Sequence, residues 1–484
     1  MDGQLPLLPL VLHHVPESFR QALAQEGVPY RMYRPGPAQG RFLILDSRTQ
    51  PSAIVAPGQV VLDLAELRRS LAEDPFEALE DVHTDRLEWQ IGAWRVQEEA
   101  ARVDKRSIRR RLMEELRRWV EDHGGLWLRV ASFPFPYRSV FCFRIDHDQY
   151  QPEDFQRTLE ALAGWEQVAS QFLAAGEFRV AGEALARLRG LDVGLHGYRY
   201  HTYQTEEENL VNIARGLEVL EKAGLEPKGF AAANGQWNRA LLSALEKQGL
   251  AYSSEFGLAY DELPFHPLRS EVLQIPVHPV SWRCFLEAAD RASRDRPNQK
   301  AALIHSALDA AVEYFCQLLQ NRAMAGEPIL LYGHAAGCLG RWPRVLRAVL
   351  EHLADYGSIW KTTLTEMYRW WQIRSKVHLT VYQDGEGYQV LTHRKPAGFR
   401  VAVELWRGGL VAMTPLDRAR IDLSPATLAF EKRTPAPQLR PVRIDPPEGF
   451  RQRLRRWWDA QRQADPEDAH PEVLADPGKN AFDS

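Results

Sequence analysis

The chain has 484 residues, of which 45% are hydrophobic and 26% are charged, and its net charge is −4. This composition is typical of a globular protein of two or three domains, and the weak negative charge argues against nucleic acid as the main partner. No run of about 18 apolar residues occurs, so a transmembrane helix is not expected.

The N-terminus lacks the basic start and the small-residue cleavage site of a signal peptide, and prolines interrupt its apolar run. Residues 1–12 therefore predict a first buried strand. The four cysteines have neither paired nor metal-type spacing, which fits a reducing compartment. We expect a cytoplasmic protein.

Residues 1–95 predict an N-terminal α/β domain. Residues 16–25 have helical spacing, and Gly27 can close that helix. Short β-branched and aromatic runs predict three strands, at 28–33, 41–46 and 59–63. No phosphate-binding glycine motif occurs, so a structural or partner-docking role is expected.

Residues 96–129 predict a helical connector, with one long helix over 96–121. Its basic patch, residues 105–111, has the sequence Lys-Arg-Ser-Ile-Arg-Arg-Arg. An anionic partner could dock there, but a solvated helix face is the favoured interpretation.

Residues 130–375 alternate between strand-like and helical runs, which predicts parallel strands joined by crossover helices. The helical runs are 155–173 and 206–223. The strand-like runs are 139–148, 192–195, 229–232, 251–256, 272–275 and 329–332.

Charged and imidazole side chains follow several of these strands. Asp146, His147 and Asp148 end the first apolar run, His196 and His201 follow a second, and His334 ends a third. Ligands gather at the carboxyl ends of parallel strands, and oxygen and nitrogen donors suit a divalent metal such as Zn²⁺ with one position open for water. A solvated turn is the alternative for any one of these stretches.

The combination resembles the polysaccharide deacetylases, the NodB-homology carbohydrate esterases. The segment Phe143-Arg-Ile-Asp146-His-Asp148 is similar to the family's strand that ends in two aspartates. The pair His196 and His201 is similar to its histidine pair, and Leu330-Leu-Tyr-Gly-His334 to its strand that ends in histidine. The resemblance spans roughly residues 130 to 375 and implies an irregular β/α barrel.

The resemblance also implies the roles of these residues in amide hydrolysis. Asp146 is expected to be the general base and His334 the general acid. Asp148, His196 and His201 are expected to bind one divalent metal ion, with zinc as the first candidate.

The sequence departs from the family pattern in the first two motifs. His147 is inserted between the two aspartates, so it could compete with Asp148 for the metal. The two histidines lie five positions apart, which neither a helix nor a strand would aim at one ion. A loop at Gly197 is needed, or only one histidine is a ligand. Tyr200 holds the family's second histidine position.

The third motif departs further, because Ala231 stands where the family has an arginine that holds the catalytic aspartate. Arg144 or Arg199 could replace that arginine.

Three other residues are candidates for supporting roles. Glu255 could accept a hydrogen bond from a metal-binding histidine and so orient it, or it could be an ordinary salt-bridge partner. Trp237 could stack on a sugar, or pack in the core. His278, which lies between prolines in the sequence, could line a substrate groove, although a rigid loop with a hydrogen-bonded histidine is favoured.

Residues 376–434 predict an antiparallel β module with two hairpins, whose turns are Asp384-Gly385 and Gly408-Gly409. Residues 435–484 predict a loosely ordered tail with one amphipathic helix. Its apolar stripe consists of Phe450, Leu454, Trp457 and Trp458. The stripe could dock on the protein's own surface, which is favoured, or contact an anionic membrane surface.

The predicted function is metal-dependent N-deacetylation of an N-acetylated carbohydrate or sugar precursor. Two alternatives stay open. One is a catalytically inactive relative that binds sugar, which the missing arginine favours. The other is a metal-dependent C–N hydrolase that acts on a different small molecule.

Overall fold

The structure is a computed structural model that describes residues 5–37, 39–48, 55–71, 73–392, 398–437 and 440–444. The chain divides into two compact units, residues 1–442 and 443–484. Only residues 443 and 444 of the second unit are described, so the predicted amphipathic helix lies outside the described residues. No helix in the described part is long and apolar enough to cross a membrane.

The described part contains α-helices that we number in chain order. They are α1 (Glu17–Glu26), α2 (Leu64–Ser70), α3 (Pro75–Glu80), α4 (Lys105–Asp122), α5 (Pro152–Ala161), α6 (Gly182–Arg187), α7 (Glu206–Lys222), α8 (Arg239–Lys247), α9 (Trp282–Ser293), α10 (Lys300–Ala325), α11 (Pro343–Ala354) and α12 (Leu364–Arg374).

The strands are numbered in the same way. They are β1 (Leu10–His13), β2 (Tyr30–Met32), β3 (Phe42–Leu45), β4 (Val60–Asp63), β5 (Thr84–Ile91), β6 (Trp94–Ala101), β7 (Trp127–Val130), β8 (Ser139–His147), β9 (Ala169–Leu173), β10 (Asp192–Leu195), β11 (Gly229–Phe230), β12 (Tyr252–Ser253), β13 (Leu273–Gln274), β14 (Pro328–His334), β15 (Ile359–Lys361), β16 (Leu379–Asp384), β17 (Gly387–Thr392), β18 (Ala402–Arg407), β19 (Leu410–Pro415), β20 (Arg420–Leu423), β21 (Glu431–Lys432) and β22 (Val442–Arg443).

The N-terminal region forms a small parallel sheet in the order β2-β1-β3-β4. The predicted helix and strands of this region are confirmed. Helix α1 ends where Gly27 takes a left-handed conformation with φ 74°, which glycine adopts without steric cost.

The predicted helix over 96–121 is wrong in its first part. Residues 94–101 form β6, which pairs with β5 in an antiparallel hairpin whose turn contains Gly92, with φ 55°. Glutamate and alanine in this segment favour a helix, but pairing with β5 buries Val96 and Ala100 in the core. Tertiary burial therefore outweighs local propensity, and α4 begins only after Asp104, which accepts the Ser107 amide as a cap.

The basic patch at the start of α4 is not a solvated face. Lys105, Arg106 and Arg109 are buried there. Arg109 lies 2.6 Å from a carboxylate oxygen of Glu262, and Arg106 lies 2.7 Å from Glu327. Its first residues therefore form internal ion pairs that fix α4 against the rest of the chain, whereas Arg111 at its end is exposed.

The central sheet has eight parallel strands and curls into a half-barrel in the order β13-β12-β11-β10-β9-β8-β14, with β15 also paired to β8. Helices cross between the strands, so the predicted α/β class and irregular β/α barrel are confirmed. One helix prediction is wrong in part, because α5 ends at Ala161 and residues 169–173 form β9. Those five residues are all buried between β8 and β10.

Both predicted hairpins of the C-terminal region are confirmed, since β16 pairs with β17 and β18 with β19. They do not share one sheet. β16 and β17 join β20, whereas β18 and β19 lie between β21 and β7. A strand from before the barrel therefore completes the second C-terminal sheet.

Candidate active site

The carboxyl ends of three strands place the predicted site residues at one edge of the half-barrel. In the register of β8 and β14, Asp146 pairs with His334, and His196 follows the last residue of β10. Successive strand residues face opposite sides, so Asp146 and Asp148 share a side and His147 faces the other. The sheet topology therefore brings together residues that are far apart in sequence.

Asp148 is the centre of this group. One of its carboxylate oxygens lies 3.2 Å from Nε2 of His196, and the other lies 3.7 Å from Nε2 of His334. Arg283 also lies 3.7 Å from Asp148. Burial alone would raise the pKa of Asp148, but the positive charges of His334, His196 and Arg283 hold it well below its usual range.

The backbone fixes the orientation of His196. Its Nδ1 lies 2.5 Å from the carbonyl oxygen of Ala231, so this nitrogen donates and Nε2 faces Asp148. Burial lowers the pKa of His196, but Asp146 and Asp148 outweigh it and the net shift is upward. The imidazole is therefore held with Nε2 as the atom that meets the carboxylate.

Asp146 is held by an arginine from its own strand. Arg144 donates to one carboxylate oxygen at 2.7 Å, and it also donates to the carbonyl of Ser254. Within the described residues, the other oxygen of Asp146 is buried without a hydrogen-bond partner. The sequence left Arg144 and Arg199 as possible replacements for the motif arginine, and Arg144 is the one that contacts Asp146.

His147 lies on the opposite side of β8 from the two aspartates. Its Nε2 lies 2.8 Å from the side-chain oxygen of Gln171, and its ring packs near Phe155 and Phe178. Burial lowers its pKa. Asp148 rather than His147 therefore meets His196, and the choice of Asp148 as the metal ligand stays a prediction.

The segment after β10 is the loop that the histidine spacing requires. Gly197 has φ 83°, and a Cβ there would lie 2.5 Å from the carbonyl oxygen of Arg199. The Tyr200 ring lies 5.0 Å from that of His196, and its hydroxyl bonds to Asn234. His201 is half-buried, with its ring edge against Tyr203. Tyr200 thus borders the site, while the ligand role of His201 stays a prediction.

Glu255 is fully buried beside the backbone that orients His196. Its carboxylate accepts hydrogen bonds from the Ala232 amide at 3.2 Å and the Ser253 hydroxyl at 2.7 Å. Burial raises its pKa to about 7. The direct partner of His196 is the Ala231 carbonyl, so Glu255 bonds to the amide of the next residue, Ala232, rather than to the imidazole.

His278 and Trp237 are buried. His278 has both ring nitrogens engaged, at 2.9 Å from Asp261 and 2.9 Å from the Tyr314 hydroxyl. Trp237 packs in the smaller apolar core. The rigid, hydrogen-bonded histidine is thus the arrangement found, and substrate contact by either residue stays a prediction.

Asp148 and His196 present an oxygen and a nitrogen donor to each other, 3.2 Å apart. Because the pKa of His196 is raised, a proton on Nε2 can bridge this contact, and a divalent cation would take the place of that proton. Oxygen and nitrogen donors of this kind suit Zn²⁺. Among the described residues, no group of three His, Cys, Asp or Glu side chains is arranged to hold a metal.

Arg283, at the start of α9, is a site residue that the sequence did not indicate. Its guanidinium lies between Asp148 and Glu287, at 3.7 and 3.0 Å, and half of the side chain is exposed. It belongs to no motif, and only the packing of α9 against the barrel brings it to the strand ends.

No family model matches the chain, and no curated protein is similar to it in sequence. Solved structures resemble about half of it. A proposed polysaccharide deacetylase from Mycobacterium smegmatis has 16% identity and a TM-score of 0.41, over 52% of this chain and 96% of that one. An allantoinase, PuuE, has 13% identity and a TM-score of 0.36, over 50% and 93%. A family 4 carbohydrate esterase pseudoenzyme from Bacillus anthracis has 12% identity and a TM-score of 0.30, over 47% and 65%.

Proposed function

We propose that this chain is a metal-dependent hydrolase that removes the acetyl group from an N-acetylated carbohydrate or sugar precursor in the cytoplasm. The observation that carries the proposal is the convergence of Asp146, Asp148, His196 and His334 at one sheet edge. A base, an acid and a pair of metal donors are the parts that amide hydrolysis needs.

Asp148 and His196 would hold the ion, with His201 or Tyr200 as further candidates. Such an ion polarises the amide carbonyl and lowers the pKa of bound water to about 7. Asp148 is suited to this role because its buried carboxylate stays ionised.

In this proposal Asp146 accepts a proton from the attacking water. Arg144 holds one of its carboxylate oxygens, and the other oxygen has no hydrogen-bond partner among the described residues, so it is free to accept that proton. His334 lies on the neighbouring strand in register with Asp146, and in this proposal it donates a proton to the departing amine. One residue thus removes the proton of water and the other protonates the amine, as general acid–base catalysis requires.

An acetate-release assay on N-acetylglucosamine oligomers, run beside elemental analysis, tests the proposal. We expect one divalent ion per chain, loss of acetate release after chelation, and loss of both metal and activity in His196→Ala. His305→Ala is the matched control, because His305 is an exposed histidine on α10. A chain that purifies without metal and gains no activity with added Zn²⁺, Co²⁺ or Ni²⁺ would contradict the proposal.

A second candidate is an inactive protein that binds carbohydrate through the same cleft. The position of Arg283 favours it, because a guanidinium 3.7 Å from Asp148 can neutralise that carboxylate without a metal. This candidate predicts sugar binding that survives EDTA and no acetate release. Isothermal titration of the same oligomers, with and without EDTA, separates the two.

A further inference from the structure

A cavity of about 530 Å³ lies away from the strand ends that carry the candidate active site. Its walls include α1 and β2 of the N-terminal region, the segment before β13, and the end of α12. Helix α12 begins after the carboxyl end of β15 and runs back toward the amino-terminal ends of the strands. Residues 264–269 come before the amino-terminal end of β13. The cavity is therefore at the amino-terminal edge of the half-barrel, opposite Asp148.

The ionised groups that line this cavity are strongly unbalanced. Four guanidinium groups line it, from Arg20, Arg31, Arg269 and Arg374, and one carboxylate, from Glu17. Three positive charges are thus not neutralised by the cavity wall itself. Unpaired charge that faces a partly enclosed space attracts a counter-ion of opposite sign.

The single carboxylate is already engaged. Glu17 contacts Arg20 and lies 2.7 Å from Arg269. No ion pair connects Arg31 to any described residue, and it is only half-buried on an edge strand. The side chain of Arg31 is therefore the group best placed to meet an incoming anion.

Arg374 contributes a fixed positive charge to the same wall. Its guanidinium donates to backbone carbonyls of Ala24, Gln25 and Ala131 at 2.9–3.0 Å and contacts no carboxylate among the described residues. Burial lowers its pKa to about 9, which leaves it charged at neutral pH. Carbonyl dipoles satisfy its donors without cancelling its charge.

Aromatic side chains complete the lining. Tyr30, Phe265 and Trp371 border the cavity. Its volume falls in the range of small-molecule sites, roughly 300–1,000 Å³. Guanidinium groups beside aromatic surface match a small organic molecule that bears an anionic group.

We propose that this cavity is a second ligand site, which binds a small organic anion carrying a phosphate or carboxylate group. The site is separate from the candidate active site and does not depend on the proposed deacetylase activity. Its occupant would contact the N-terminal sheet, the half-barrel and β16 at once.

Isothermal titration of the full chain in low salt tests this inference. The probes are glucose 1-phosphate, pyrophosphate and citrate, with glucose as the neutral control. We expect at least one anion to bind while glucose does not, and affinity to fall as NaCl is added. A preference for the first two probes over citrate identifies a phosphate ligand, and the reverse identifies a carboxylate ligand.

Matched variants locate the binding. Arg31→Gln should weaken binding at least about tenfold, because a hydrogen bond to a charged group contributes about 1.5–3 kcal/mol. Arg34→Gln removes an exposed arginine outside the cavity and should bind as wild type does. Arg269→Gln provides a second cavity variant at an exposed position.

Three outcomes overturn the inference. The first is that none of the three anions binds. The second is equal affinity in Arg31→Gln, Arg269→Gln and Arg34→Gln. The third is binding that is lost in His196→Ala but kept in both cavity variants, which would place the anion at the opposite edge. Acetate release in the cavity variants reports separately on the proposed function.

Discussion

The start of α4 and the carboxyl edge of the half-barrel both bury charge, but they treat it differently. At α4, guanidinium groups meet carboxylates directly, as in the pairs Arg109–Glu262 and Arg106–Glu327. At the carboxyl edge, Asp146 is bonded to Arg144, and the groups beside Asp148 include two imidazoles, from His196 and His334. A guanidinium group stays charged at ordinary pH, whereas an imidazole gains or loses a proton near neutral pH.

This difference has a physical basis. An ion pair in the interior offsets its desolvation only when the geometry is good and the remaining polar atoms are bonded. A group that exchanges a proton near neutral pH can take part in general acid–base catalysis, which a guanidinium group cannot. The comparison therefore predicts that changes at α4 lower stability and that changes at the carboxyl edge lower turnover.

The largest expected effect is on stability, in Arg109→Met. This change leaves Glu26 and Glu262 without their shared cation, and breaking a buried ion pair costs about 3–5 kcal/mol. Urea unfolding measures the loss. Arg111→Met is the control, since its pair with Glu73 is exposed and contributes at most about 1 kcal/mol. Equal losses in the two variants would mean that the α4 pairs do not fix the fold.

The second effect is on turnover, in Asp146→Asn. The amide oxygen can still accept the Arg144 hydrogen bond, so the fold and the metal are retained, but proton transfer is lost. We expect kcat for acetate release to fall by at least about 10²-fold. Glu153→Gln, an exposed change on α5, should leave kcat unchanged. An unchanged kcat in Asp146→Asn would remove this residue from the base role.

The third effect is a pH dependence of stability that comes from two carboxyl groups without a guanidinium contact, the half-buried Glu98 and the fully buried Glu255. Burial raises the pKa of Glu98 and of Glu255 to about 7. Between about pH 4.5 and 7 the folded protein holds protons that the unfolded chain has released, so the free energy of unfolding falls as pH rises. We expect a loss on the order of 1–3 kcal/mol for each group.

Unfolding in urea at pH 5 and at pH 8 measures this dependence. Glu98→Gln should reduce the difference between the two pH values, because it removes one of the two titrations. Glu99→Gln is the neighbouring exposed control. A wild-type protein that is equally stable at both pH values would refute the prediction.

The smallest effect concerns the cap of α4. The Asp104 side chain accepts the Ser107 amide at 3.1 Å, and Asp104→Ala should cost about 1 kcal/mol in urea unfolding. Asp122→Ala, at the other end of the same helix, should cost nothing, because a carboxylate there opposes the helix dipole. A cost at Asp122 as large as that at Asp104 would exclude capping as the cause.

Sequence patterns predicted the elements whose signals are local. The strands that end at Asp146 and His334 are short apolar runs, and both C-terminal hairpins carry glycine turns, so they were predictable. Strands β6 and β9 were missed because their residues favour helices and only pairing with neighbours makes them strands.

The candidate site was predictable for the residues at strand ends and not for those that come from a loop or a helix. Asp146, Asp148, His196 and His334 follow strands, and parallel topology brings strand ends together. Tyr200 and Arg283 reach the site through a loop and through helix packing, which no periodicity encodes. Arg144 could be named from sequence, but its contact with Asp146 depends on the side chains of one strand sharing a side.

The pairing of β7 with β18 affects how the chain folds during its synthesis. Arg129 on β7 bonds to Glu404 on β18, 275 positions later. During synthesis, β7 leaves the ribosome long before its partner exists, and its edge stays open until the C-terminal hairpin arrives. A fragment that stops after the half-barrel would expose that edge permanently. The last sheet is therefore part of the barrel's folding unit, and removing it should cause aggregation rather than yield a smaller stable protein.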